Sequence, residues 1–183
     1  MTAATTTQQL SAGTWAIDPI HSSISFSVRH LMVSKVRGHF NTFSGAVVVG
    51  EDGTPSVTAE VAVDSIDTRN DQRDAHLKGA DFFDVENYPT ATFTSTGVRE
   101  QDGHYVLDGD FTLKGVTKPI SIDVEFHGVN PGMGHGEVAG FTGTVELSRK
   151  DFGVGGDTPL ETGGVVVGDK VEVTLDIEAL KQS

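Results

Sequence analysis

The 183-residue chain contains no cysteine, which removes disulfide staples, thiolate catalysis and cysteine-ligated metal centres from consideration. Positive charge is scarce as well. Lys and Arg number 13 against 26 Asp and Glu, a formal net charge of -13. Binding to a polyanion such as DNA or RNA needs a basic stripe, so this balance argues against nucleic acid as a partner. No apolar run is long enough for a membrane-spanning helix, and the opening MTAATTTQQLSAG has neither the basic start nor the apolar core of a secretory signal. The expectation is a cytoplasmic protein. Acids are themselves missing from one window: none occurs in residues 19–50, where Arg29, Lys35 and Arg37 are basic and His21, His30 and His39 can become so.

What is present is strand-like. Ile24, Phe26 and Val28 alternate with Ser23, Ser25, Ser27 and Arg29, and Ile120, Ile122, Val124 and Phe126 alternate with Ser121, Asp123, Glu125 and His127. That period of two buries one face of a strand and wets the other. Similar alternation covers residues 14–17, 57–63, 90–96, 105–113, 141–147 and 171–177, and a long strand is expected over 36–49. Asp52-Gly53, Asp102-Gly103 and Lys114-Gly115 read as turns between them. Residues 29–33 lose the alternation and are expected to form a helical turn or bulge.

One helix stands out. Thr68-Arg69-Asn70-Asp71 has capping-box spacing, the following residues place acids early and Lys78 late, and Gly79 ends it; Asp81-Phe82-Phe83 is expected to add a turn. Residues 1–13 read as a flexible polar tail and 14–180 as one domain. Residues 149–168 are glycine-rich and aperiodic, and read as a long functional loop. About eight amphipathic strands and one short helix fit an all-β barrel, in which closure removes the sheet edges and turns the apolar faces inward; a two-sheet sandwich is the alternative.

Catalytic chemistry finds little support. The serines are explained by strand alternation, no Gly-x-Ser-x-Gly elbow exists, and the Gly153-Val154-Gly155-Gly156 and Thr162-Gly163-Gly164 stretches precede no helix that would make them phosphate loops. No enzyme activity and no cofactor are expected. A metal-dependent enzyme would have to gather His21, His30, His39 and His76 with Asp18 or Asp74, without an HExxH spacing to support it. The other readings are a barrel filled by its own side chains and a barrel holding a ligand. Small residues at inward positions (Ala59, Ala91, Gly109, Gly143) leave room for a ligand. Val28 and the phenylalanines at 26, 40, 43, 82, 83, 93, 111, 126 and 141 are the candidate apolar lining. Arg29, His30, Arg73, His76 and Arg149 are candidates for a polar mouth.

Several motifs occur in a collinear series: Trp15-Ala16-Ile17-Asp18-Pro19-Ile20-His21-Ser22 through Phe26 and His30, then Ser65-Ile66-Asp67-Thr68, Arg73-Asp74-Ala75-His76-Leu77-Lys78 and Asp81-Phe82-Phe83-Asp84. Tyr88-Pro89-Thr90, Leu113-Lys114-Gly115-Val116-Thr117-Lys118-Pro119 and Arg149-Lys150-Asp151-Phe152-Gly153 complete it. In these the chain resembles the YceI-like lipid and polyisoprenoid-binding proteins. The resemblance implies a lipocalin-like, eight-stranded antiparallel barrel, often dimeric and without established catalysis, that holds a long isoprenoid chain with a polar or phosphorylated head, or a quinone. It adds His21 to the mouth candidates and singles out Phe26, His30, Arg73, His76, Phe82, Phe83 and Arg149 among those already named. Many members are exported, and this amino terminus departs from theirs.

Overall fold

The alternating segments become strands that share one continuous hydrogen-bonded sheet. In the computed structural model, which describes residues 9–158 and 166–183, they are β1 (Gly13–Ile17), β2 (Ser23–His30), β3 (Ser34–Phe40), β4 (Phe43–Val49), β5 (Pro55–Ala62) and β6 (Ile66–Asp67). The series continues with β7 (Thr90–Gln101), β8 (His104–Leu113), β9 (Val116–Asn130), β10 (Val138–Ser148) and β11 (Val167–Lys181). Among the described residues, one α-helix, α1 (Asp71–Leu77), and 3-10 turns at Val63–Ser65 and Arg149–Phe152 accompany them. Residues 1–8 of the expected tail, and residues 159–165 of the glycine-rich segment with Gly163 and Gly164, lie outside the described residues.

Pairing runs β1-β4-β5-β7-β8-β9-β10-β11, and β1 also pairs with β11, so the sheet closes on itself. β11 pairs β2 along its first half and β1 at its end, because β1 and β2 form one strand interrupted at residues 18–22. β3 with β4, and β5 with β6, are interrupted in the same way. Eight walls result, all antiparallel, and the fold is an all-β, lipocalin-like barrel. Closure removes most of the exposed edge that a flat sheet would leave for aggregation.

The interruptions are where local pattern and final structure part. The expected strand over 36–49 breaks at Asn41-Thr42, because Ser65 accepts Asn41 N–H at its carbonyl (3.1 Å) and Thr42 N–H at its hydroxyl (3.0 Å). At the other break, Asp18 N–H donates to the Glu178 carbonyl (2.8 Å) and Glu178 N–H to the Ser22 hydroxyl (2.9 Å), which staples the turn across β11. Residues 31–33 form a tight hairpin rather than a helical turn or bulge. Val33 N–H meets the His30 carbonyl at 3.1 Å, with Leu31 and Met32 at φ 50° and 63°. α1 begins at Asn70, not at a Thr68 capping box: Asn70 is extended and its side chain accepts Arg73 N–H, while the Thr68 hydroxyl turns to Asp74.

One end of the barrel is sealed. Trp15 (0% exposed) packs with Val47, Val49, Ala139 and Ala179, surrounded by Leu10, Val57, Val129, Phe126 and Phe141, and its indole N–H donates to the Ser11 carbonyl at 3.0 Å. Inward glycines are not vacant. A Cβ on Gly38 would lie 2.6 Å from Phe26 Cζ, and one on Gly109 would strike the Phe93 ring and the Thr94 carbonyl. At Gly143 the space is taken by Ile122 and Leu175. These positions let a neighbouring side chain lie across the strand, which corrects the expectation that the small residues there leave room for a ligand.

Candidate functional site

At the end opposite Trp15, the β2–β3 turn, α1 with residues 78–89, the β8–β9 turn and the segment after β10 converge. Three polar fixtures hold them. The Arg149 side chain is buried and spends its donors on the carbonyls of Val154 (3.2 Å), Val167 (2.8 Å) and Gly168 (2.9 Å) and on the Asp157 carboxylate (2.9 Å). Lys114, held at φ 50° in the β8–β9 turn, reaches the carbonyls of Ala80 (3.2 Å) and Gly153 (2.9 Å) and so ties three rim segments to one ammonium. Buried Asp74 accepts Thr68 N–H (2.9 Å) and the Thr68 hydroxyl (2.5 Å), and Arg73 donates to that hydroxyl (2.8 Å) and to the Thr68 carbonyl (2.7 Å). The Arg149 and Asp74 fixtures satisfy groups that lie largely away from water, whereas Lys114 clamps exposed carbonyls.

Aromatic rings descend from this rim. Phe83 meets Phe40 edge-on at 6.2 Å, Phe40 lies 5.6 Å from Phe26, and Phe152 stands edge-on over Phe111 at 5.4 Å. Phe126 and Phe141 stack at 5.2 Å nearer the sealed end. Phe43 and Phe93 are buried, whereas Phe26, Val28, Phe40, Phe82, Phe83, Phe111, Phe126 and Phe141 keep partial contact with solvent. β11 sharpens this. Val171, Val173, Leu175 and Ile177 share the inward register of Ala179, yet all four are half-buried while Ala179 is 0% exposed. Inward side chains in a closed barrel stay accessible only where the interior is not filled.

The polar candidates disperse. Arg73 and His76 share α1; Arg73 is engaged by Thr68 and the exposed His76 packs on Phe82 at 4.9 Å. His30 ends β2 opposite Val167 and Ser34, and Arg29 is on the outer face, opposite Lys35. His21 lies elsewhere, at the β1–β2 break on the outside of the wall. Sequence reasoning missed Lys114 and the Thr68–Asp74 pair as rim elements, whereas Phe152 was visible as one of the phenylalanines that could line a pocket. The Lys114-Gly115 turn was visible, but the two carbonyls that its lysine meets come from loops 34 and 39 residues away.

A model of the YceI-like domain matches residues 15–179, spanning every strand of the barrel and all three rim fixtures. The chain belongs to the YceI-like family. A UPF0312 protein of Staphylococcus aureus is 39% identical over 168 residues, covering 90% of this chain and 95% of the relative. Among solved structures, the YceI protein of Campylobacter jejuni superposes with a TM-score of 0.72 at 28% identity, over 85% of this chain and 90% of that one. BcnA of Burkholderia cenocepacia gives 0.74 at 24% identity, over 88% and 98%. A polyisoprenoid binding domain from Saccharophagus degradans gives 0.70 at 14% identity, over 92% and 98%, a likeness of fold.

Within this YceI-like barrel, the Asp18-Pro19-Ile20-His21 stretch makes a compact electrostatic unit. His21 Nδ1 is 2.7 Å from Asp18 and 3.8 Å from Glu178. Hydrogen bonds from His21 and from Ile20 N–H hold the Asp18 carboxyl below its ordinary value, and the bond to Asp18, aided by Glu178, raises the imidazole. Among the described residues these three are the one group of potential metal ligands that converges, with donor atoms within 4.8 Å of one another. His30, His39 and His76 do not join it. Asp18 already accepts two hydrogen bonds and His21 is exposed, so the unit reads as a clasp for the strand break. No helix among the described residues is long and apolar enough to cross a membrane.

Proposed function

We propose that the barrel is a non-catalytic carrier or store for an amphipathic isoprenoid-like lipid (a polyprenyl chain, polyprenyl phosphate or quinone), its tail inside and its head at the rim. The observation that carries this reading is the line of half-buried Val171, Val173, Leu175 and Ile177 inside a closed wall, an apolar interior that its own side chains leave accessible. The polyisoprenoid binding domain of Saccharophagus degradans shares the fold and supports the ligand class. Burying about 400 Å² of ligand at about 25 cal/mol per Å² would give about 10 kcal/mol before the cost of ordering a flexible chain.

The tail would run along Phe26, Val28, Phe40, Phe111, Phe126 and Phe141, with Phe82 and Phe83 at the entrance and Phe43 and Phe93 behind them. Of the polar candidates, His30 and His76 have the most freedom to meet a head group, since Arg149 spends its donors on the protein and Arg73 is held by Thr68 through Nε and Nη2. Extraction of protein purified from its native host, followed by mass spectrometry, is expected to return a stoichiometric isoprenoid lipid. Extracts without lipid, together with no uptake of an added polyprenyl phosphate or quinone, would refute the reading.

A further inference from the structure

The β2–β3 hairpin departs from the other tight turns of the barrel. Asp102-Gly103 and Lys114-Gly115 have both central residues at positive φ, with glycine second, as the type I′ geometry prefers. Leu31-Met32 adopts the same left-handed pair with two bulky apolar residues, a disfavoured choice. These side chains are not buried in return: Leu31 is 42% exposed, Met32 47% and the adjoining Val33 83%. Chain folding gains nothing from that composition at a solvent-facing tip.

The hairpin's own charges have one sign, while Asp67, Asp169 and Glu172 face it from the neighbouring strands. Arg29, Lys35 and Arg37 lie on the outer face of the hairpin, inside the acid-free window of a chain with net charge -13. Lys35 approaches Glu172 at 3.5 Å, whereas among the described residues no carboxylate lies within ion-pair reach of Arg29 or Arg37. Below the tip this face forms a groove of about 600 Å³, lined by Lys35, Arg37, His39 and Arg69 together with Asp67 and Glu172. Among the described residues β3 pairs with β6 only at His39 and Phe40, so residues 34–38 form a free edge there.

We infer that this hairpin docks the protein on an anionic lipid bilayer, with Leu31, Met32 and Val33 entering the interface and Arg29, Lys35 and Arg37 meeting lipid phosphates. An apolar tip ringed by cations matches such a surface, and the acidity of the rest of the chain leaves this orientation as the attractive one. A second copy fits less well: a two-fold contact through the tip would set Arg29 and Arg37 against their own duplicates. Leu31 N–H donates to the Val166 carbonyl (2.9 Å), beside the residues that Arg149 holds, so docking brings the barrel mouth to the membrane. The inference complements the carrier reading and is tested apart from it.

The test is flotation with vesicles of phosphatidylcholine, alone or mixed equally with phosphatidylglycerol, at low and high salt. Wild-type protein should float with the anionic vesicles at low salt and not with the neutral ones. Leu31→Asn with Met32→Gly supplies the residues a type I′ turn prefers, so the hairpin folds at least as well, and it should weaken binding at least tenfold. Arg37→Gln should weaken it about fivefold, the share of one surface cation. Absence of wild-type binding, or equal binding by the Asn-Gly variant, overturns the inference. So does a wild-type dimer in the ultracentrifuge that the Asn-Gly variant disperses while neither protein floats. A lipid-free barrel that floats sinks the carrier reading alone, and a loaded one that does not float sinks the docking alone.

Discussion

Replacing Arg149 by methionine keeps most of the apolar stem and deletes the group on which the rim depends. Three carbonyls, of Val154, Val167 and Gly168, lose a charged donor, and the Asp157 carboxylate loses one of its two cations, keeping Lys150 at 3.4 Å. A hydrogen bond to a charged group contributes about 1.5 kcal/mol at the lower end, so the three carbonyls account for about 4.5 kcal/mol. The Asp157 side chain is 57% exposed and regains water, so the ion pair adds little. The expected loss is therefore about 3–5 kcal/mol, some of it recovered if water enters the opened rim. Urea unfolding monitored by the fluorescence of Trp15, the one tryptophan, measures the total. Hydrogen exchange at Val154 and Gly155, whose amides bond to Arg149 and Asp81, localises it. Arg149→Lys should recover less than half, because a point charge cannot serve a fork of four acceptors. A methionine variant within about 1 kcal/mol of wild type, with unchanged exchange at both amides, would refute the account of Arg149 as the brace of the mouth.

Gly109→Ala should cost about 1–3 kcal/mol in the same unfolding assay, since the added methyl meets the Phe93 ring and the Thr94 carbonyl in a packed wall; an unchanged midpoint would mean the ring moves freely. Asp108 is held at about 2 by Arg99 (2.7 Å) and Ser121 (2.6 Å); NMR titration should show it rising toward 3.8 in Arg99→Gln. Because the folded value is depressed, the stability it lends is present above 3.8 and is lost as pH falls toward about 2, so the variant should show a shallower acid transition. At the strand-break clasp, the raised His21 contributes below pH 6.5 and ceases to as pH climbs through its higher folded value, while the lowered Asp18 contributes above 3.8. His21→Gln should therefore lower the melting temperature most between pH 4 and 6.5 and little at pH 9, as differential scanning fluorimetry can check.

Strand content was legible because burying one face of a strand writes a period of two into the sequence, as in residues 120–126. Closure followed from counting amphipathic faces that needed cover. The interruptions in the walls were not legible, since Asn41-Thr42 is broken by Ser65, a residue from another wall, and no local pattern carries that. The use of Arg149's donors was hidden for a related reason, since only the folded loop brings three carbonyls toward it. Thr68 had the right spacing to cap α1, but its hydroxyl is drawn to Asp74, so Asn70 caps in its place. The aromatic lining was readable as a set, because each phenylalanine sat on an apolar register; the partial exposure that separates Phe26 from Phe93 depends on the shape of the enclosed space.

β11 has a consequence for how the chain reaches this shape. It pairs with β10 on one side and with β2 and β1 on the other, and it is the last strand of the barrel in chain order. Until it arrives, β1 and β10 stand at opposite margins of an open sheet, and the inner surface faces water. The first and last walls must find each other across almost the whole polypeptide, a long-range pairing of the kind that slows folding and leaves strand edges open to self-association until it is made. Negative charge spread along the outer face then protects the unfinished cylinder as well as the finished one.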